Sequence, residues 1–223
     1  MIPDLRALQT NFNSSDLHTG KILITADQIN FGYTSSCLWK SPLSIQVRSG
    51  DRIHITGNNG SGKTTLVKLL LGELKPAAGT ITWADFSYLY IDQECSVLDP
   101  GLTVFEQTER FNASHLAEHE LKSILNRCLF PYETWDKPCF CLSGGEKIRL
   151  LFCCLMIGNN APDVFILDEP TNNLDIQSVE IITAAIKSYR GTVLLISHDH
   201  YFVKEIKINR SIKLFDTGSV IKI

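Results

Sequence analysis

The stretch GNNGSGKTT, Gly57 to Thr65, packs glycines and small polar residues ahead of a lysine and two threonines. Gly57, Gly62, Lys63 and Thr64 fill the fixed places of the pattern G-x-x-x-x-G-K-[ST]. Glycines let main-chain N–H groups close around phosphate oxygens, which makes Asn58, Asn59, Gly60 and Ser61 the wall of an anion cradle. Lys63 would neutralise β- and γ-phosphates, and the Thr64 hydroxyl would ligate Mg2+. Further along, VFILDEP ends an apolar run in Asp168 and Glu169. Asp168 at the carboxyl end of a buried strand can hold Mg2+ through water, and Glu169 could orient or deprotonate an attacking water. Alone, two such acids would serve as well to end a strand and cap a helix; beside the glycine loop, the chemical role is favoured. His198, in LLISHDH, follows another apolar strand and could touch a γ-phosphate or the water.

A second glycine-rich turn, CLSGGEKIRL, offers the N–H groups of Ser143, Gly144 and Gly145 at a helix N-terminus. Other candidates are weaker. Gln93, in YIDQEC, is of a type that is usually solvated after a strand, and Tyr33 suits a stacked base or a core equally well. His115 and His119 stand four apart without an H-E-x-x-H frame, so an exposed helix face is favoured over a metal pair. Cys139 and Cys141 are too closely spaced for the usual ligand pair.

The elements that would position these residues alternate. KILITADQIN, with Ile22, Ile24 and Ala26, LSIQV, with Leu43, Ile45 and Val47, and RIHIT read as half-buried strands. The glycine loop leads into a helix with Leu66, Leu69 and Leu70 on one side and a stop at Gly72. Short strands follow at GTITW and SYLYID. Residues 102–130 read as helical, with Leu116, Leu121, Ile124, Leu125 and Leu129 at helical spacing, and a further helix runs from Glu146 to Ile157. DVFILDEP and GTVLLIS are unbroken apolar runs, the pattern of strands buried on both faces. Between them SVEIITAAIKSY sets Val179, Ile182, Ile186 and Tyr189 on one helix face, and the chain ends in a hairpin around Asp216 to Gly218. The expected fold is α/β with a mostly parallel sheet, an antiparallel sheet of the first and last strands beside it, and a helical sub-lobe over 102–157. The first twenty residues look like a linker or leader.

The chain has 223 residues and a formal net charge of −3, room for one large domain and no sign of a wide nucleic-acid footprint. No apolar run approaches a membrane span, and no signal peptide is evident. Seven cysteines, with no C-x-x-C pair, fit reduced thiols of a cytoplasmic protein.

From about Lys21 onward, the motifs and their order resemble those of an ABC-type ATPase domain. The glycine loop resembles the Walker A sequence, Leu142 to Glu146 the signature sequence, FILDEP the Walker B strand and NNLD the D-loop. The resemblance implies a P-loop NTPase core with ATP and Mg2+ as ligands. It implies that Gln93 is the Q-loop glutamine near Mg2+, Glu169 the catalytic glutamate, His198 the switch histidine and Tyr33 the adenine-stacking aromatic. It also implies head-to-tail pairing with a second ABC ATPase domain, in which Ser143, Gly144 and Gly145 close over the partner's γ-phosphate and Asp175 sits at the interface. DEPTNNLD, LSGGEK and SHDHYF are similar to the ABC-F pattern. That subfamily implies a soluble protein with two fused ATPase domains acting on ribosomes, in translation or antibiotic resistance. This chain holds one such domain and no long charged helical linker, so the expectation is the second half of a tandem protein. The alternative is the ATP-binding subunit of a membrane transporter; an ATP-binding fragment without further activity is a third reading.

Overall fold

The computed structural model describes residues 20–34, 36–92, 94–158, 161–215 and 220–222. Residues 1–19 of the proposed leader and the turn of the closing hairpin lie outside them, as does Gln93.

Two sheets form. In the first, β1 (Ile22–Asn30) lies between β2 (Leu43–Arg48) and β4 (Ala78–Trp83), all antiparallel. The second runs β5 (Tyr88–Ile91), β6 (Val164–Asp168), β7 (Thr192–Ile196), β3 (Arg52–Gly57), β8 (Arg210–Leu214) and β9 (Val220–Lys222). Its first five strands are parallel, and β9 pairs antiparallel to β8. The helices are α1 (Lys63–Leu70), α2 (Val104–Arg110), α3 (Glu118–Arg127), α4 (Gly144–Gly158), α5 (Ile176–Ser188) and α6 (His200–Glu205).

The apolar runs of β6 and β7 are buried on both faces, and alternate residues serve separate cores. Phe165, Leu167, Val193 and Leu195 join the cluster built with α2 to α6. Val164, Ile166, Leu194 and Ile196 join the cluster of the antiparallel sheet and α1. A period of two thus divides one apolar strand between two layers.

Several expectations are corrected. β3, β8 and β9 belong to the mainly parallel sheet, because β3 pairs with β7 and β8 rather than with β2. Its half-buried pattern arises because Ile53 and Ile55 enter the core while Arg52 and His54 take partly buried polar partners on the other side. Ile22 is 43% exposed, whereas Leu23 and Ile24 are both buried, because β1 has a register irregularity between Ile22 and Ile24. The stretch expected to be helical over 102–130 breaks between Arg110 and Glu118. There the Asn112 side chain bonds both the N–H and the carbonyl of Leu116, a local alternative to the helix ladder. His115 therefore lies off the helix with φ 52°, and Leu129 lies past the end of α3 with φ 63°. Helix α4 starts at Gly144, two residues earlier than expected, because Ser143 and Glu146 cap each other.

Candidate active site

The glycine loop links β3 to α1, and β6 and β7 end beside it, so three parallel strands deliver their carboxyl ends to one edge. A cleft of about 740 Å3 opens there. Its lining includes Tyr33, Gly60, Lys63, Thr64, Asp168 and Glu169. Asn59, Gly62 and Thr65 line it as well. Gly62 has φ 90° and caps α1, and a Cβ there would stand 2.5 Å from Leu38 Cδ2. Gly57 is equally constrained, since a Cβ would meet Ser61 Oγ at 2.4 Å and Leu214 O at 2.6 Å. Both glycines answer to conformation and space together.

Lys63 folds back over the loop, its Nζ donating to Gly57 O at 2.9 Å and Asn58 O at 3.1 Å. These are carbonyl partners, which leave the ammonium charge for an anion. Ser61 is buried, and its Oγ has no hydrogen-bond partner among the described residues. Thr64 Oγ1 donates to Asp168 Oδ2 at 3.1 Å, which brings together hydroxyl and carboxylate oxygens from α1 and β6. A hydroxyl beside a carboxylate is a donor set suited to Mg2+, which prefers hard oxygens and is commonly held by one or two carboxylates plus substrate phosphates. Among the described residues there is no cluster of three His, Cys, Asp or Glu that could hold a metal ion.

Glu169 follows the strand with φ 51°, a left-handed conformation costly for a residue with a side chain. It is over-determined: Glu169 N donates to Ile196 O at 2.8 Å, and Asn172 N donates to Glu169 O at 3.2 Å. The carboxylate is thereby turned to His198, whose Nε2 lies 3.4 Å from Glu169 Oε1 and whose N–H donates to Oε2 at 3.3 Å. Glu169 lines the cleft and His198 contacts it, and an acid so paired with an imidazole can hold and orient a water. Tyr33 is 70% exposed, its hydroxyl 2.9 Å from Thr65 Oγ1 and its ring edge-on to Phe31. Most of the Tyr33 side chain is thus left exposed beside the glycine loop.

Ser143, Gly144, Gly145 and Asp175 do not reach this cleft and gather elsewhere. Ser143 Oγ accepts from Glu146 N at 3.2 Å, and Glu146 Oε2 accepts from Ser143 N at 2.8 Å. Burial works against the Glu146 charge, but the Ser143 amide and Lys137 outweigh it and hold the carboxyl below its usual range. Asp175 caps α5 by accepting from Ser178 N and Oγ at 2.8 and 2.9 Å, and the backbone bond lowers its pKa. Gly145 packs on this cap: a Cβ would stand 2.6 Å from Ser178 Oγ and 2.8 Å from Asp175 Oδ2. Signature turn and D-loop therefore form one packed unit. The S-x-x-E spacing of Ser143 and Glu146 was the sequence signal for the capping.

Two supporting residues escaped the sequence reading. Tyr90 donates from its hydroxyl to Asp168 Oδ2 at 2.9 Å, and desolvation raises its pKa, with the Asp168 charge adding to the effect. His54 Nε2 donates to Ser197 O at 2.9 Å, directly behind His198, and burial lowers its pKa although that bond opposes the shift. Each is an ordinary strand residue in sequence, and only cross-strand proximity assigns it. Cys139 is buried and Cys141 is exposed.

The ABC transporter family profile matches residues 41–172. Among curated proteins, ABC transporter F family member 5 of Arabidopsis thaliana is 39% identical over 201 residues, covering 89% of this chain and 28% of its own length. F family member 2 of the same plant is 36% identical over 203 residues, covering 90% of this chain and 29% of its own length. The chain thus spans less than a third of these relatives. Among solved structures, a dimeric post-hydrolysis ATP-binding cassette bound to ADP and Pi superposes with a TM-score of 0.66 at 19% identity, over 90% of this chain and 98% of that one. At that identity the likeness speaks for the fold.

Proposed function

The chain belongs to the ABC transporter family, and on that premise we propose that it binds ATP with Mg2+ and hydrolyses it when paired with a second domain of the same kind. The observation that carries this reading is the convergence of Lys63, the Thr64–Asp168 contact and the Glu169–His198 contact at one cleft. Lys63 and the loop amides from Asn58 to Thr65 hold the phosphates. Thr64 and Asp168, with Gln93 outside the described residues, would hold Mg2+. When bound, Mg2+ supplies neutralisation of phosphate charge. Glu169 orients a water in line with the terminal phosphorus and takes up its proton, while His198 holds the Glu169 carboxylate and faces the terminal phosphate. Phosphoryl transfer of this kind asks mainly for positioning and charge compensation, so half a site should turn over slowly.

Ser143, Gly144 and Gly145 lie away from the chain's own cleft, which supports their use on a partner's nucleotide, with Asp175 at the junction. We assign residues 21–223 to one ATPase domain with residues 102–157 as its helical part, and residues 1–20 to a linker. The names of the F-family relatives and the DEPTNNLD wording support the F subfamily; on that resemblance we favour a translation- or ribosome-protection factor, one half of a tandem protein, over a transporter subunit. Among the described residues no helix is long and apolar enough to cross a membrane.

The test is twofold. A fluorescent ATP analogue should bind with Mg2+, and ATP turnover per chain should rise with chain concentration. The Glu169→Gln variant should bind the analogue and lose turnover; unchanged turnover would exclude Glu169 as the base. Co-sedimentation of the full-length protein with ribosomes in ATP, against recovery with a membrane partner, separates the two cellular roles.

A further inference from the structure

Helix α1, which opens from the glycine loop, is pinned at each end by an indole. Trp39 Nε1 donates to Ser61 O at 3.0 Å, just before the helix, and Trp83 Nε1 donates to Leu70 O at 2.7 Å, at its last residue. The two pins differ in setting. Trp83 is 47% exposed, and Leu70 O belongs to the end of a helix whose neighbouring carbonyls take N–H groups from Leu71, Gly72 and Glu73. Trp39 is 1% exposed, and Ser61 is 4% exposed. The helix ladder begins with Leu66 N to Gly62 O, so the Ser61 carbonyl lies outside it. A buried carbonyl in that position needs a donor from elsewhere, and the indole provides it.

The same indole fixes the loop by shape. An added Cβ at Gly62 would stand 3.2 Å from Trp39 Cζ2, so the ring packs directly beneath the residue whose left-handed φ of 90° starts the helix. Trp39 is itself held by buried Asn30: Asn30 Nδ2 donates to Trp39 O at 2.6 Å, and Trp39 N donates to Asn30 Oδ1 at 3.3 Å. Asn30 Oδ1 also accepts from Phe31 N, and Leu38 N donates to Phe31 O, which closes the base of the segment carrying Tyr33. The base-facing and phosphate-facing walls of the cleft thus share one buried side chain.

We propose that Trp39 is a positioning residue that holds the phosphate loop in its binding-ready shape before nucleotide arrives. The proposal rests on the reading of the cleft as a nucleotide site for its consequence, although the loop's order can be measured without nucleotide. Removing the indole N–H leaves a buried acceptor unpaired, and the loop then escapes by opening. If opening lowers the ordered fraction to about a tenth, apparent affinity for ATP and ADP falls about tenfold, or about 1.4 kcal/mol.

Trp39→Phe tests this, with Trp83→Phe as the control that cuts the pin at the far end of the same helix. Hydrogen exchange on the nucleotide-free chain should quicken at the amides from Asn59 to Thr64 in Trp39→Phe and not in Trp83→Phe. The dissociation constants of fluorescent ADP and ATP analogues should rise about tenfold in the first variant alone. Should Trp39→Phe fail to fold, β-(3-benzothienyl)alanine at position 39 keeps the ring shape without the N–H and makes the same comparison. Equal loop exchange and equal affinity in the two variants would overturn the proposal. If the unmutated chain binds neither analogue while loop exchange still responds to Trp39, the nucleotide reading fails and the positioning stands.

Discussion

Gly145→Ala should destabilise the folded chain even though it adds a methyl group to a helix. Gly145 is the second residue of α4, where alanine is intrinsically preferred by at most about 1 kcal/mol. Against that gain, the new Cβ would lie 2.6 Å from Ser178 Oγ and 2.8 Å from Asp175 Oδ2, and 3.3 Å from Ser178 Cβ. Those oxygens cannot simply retreat. They are bonded to each other at 2.9 Å, and Asp175 also caps Ser178 N at 2.8 Å. Displacing the cap costs about 1 kcal/mol, and overpacking a site where Ser178 is fully buried costs about 1–3 kcal/mol. The net expectation is a loss of about 1–3 kcal/mol, which for a chain of this size lowers the thermal midpoint by about 2–12 °C. Ser178→Ala removes the nearest oxygen and releases Asp175 Oδ2, so Gly145→Ala should cost at least about 1 kcal/mol less in that background. Thermal and urea unfolding of the four chains measure the coupling. A Gly145→Ala chain as stable as the original, or a penalty identical in both backgrounds, refutes the packing argument. The outcome also bears on function, because a signature-turn variant that loses activity through an altered D-loop says nothing about contact with a partner's phosphate.

Two further expectations follow from the core and from a histidine. His54 has a pKa lowered chiefly by burial, with the bond to Ser197 opposing and the charges of His198, Glu169 and His200 contributing, so the unfolded chain binds its proton more readily. Stability from this group is present above about pH 6.5 and is lost as pH falls through the lowered value, so the thermal midpoint should drop as pH falls below about 6.5 and drop less in His54→Gln. An identical acid-side slope in both chains would count against it. Leu167→Ala, at a fully buried β6 position facing the helical cluster, should cost about 2–5 kcal/mol, against about 0.5–1.5 kcal/mol for Ile166→Val on the opposite face. Urea unfolding decides, and a cost below about 1 kcal/mol for Leu167→Ala would mean that this face of β6 is not packed as described.

The local pattern of the chain determined its phosphate loop, its doubly buried strands and the acids that end one of them. Each is written in adjacent residues: the glycine spacing before Lys63, the apolar run before Asp168, the cap residues Ser143 and Glu146. Such features depend on backbone conformation and on periods of two or about four, which a sequence displays directly. Strand partnership is not written in this way. Whether β3, β8 and β9 join the parallel or the antiparallel sheet turns on which edges they meet, and a half-buried alternation is compatible with either. The break before His115 turned on one asparagine side chain competing for the backbone of Leu116. The supporting side chains are less legible still. Tyr90 reaches Asp168 across 78 residues, His54 reaches Ser197 across 143, and Trp39 reaches Ser61 from another layer. Only the tertiary structure decided these contacts, because a hydrogen bond between distant segments requires that both arrive at one place, and no residue records its partner's arrival.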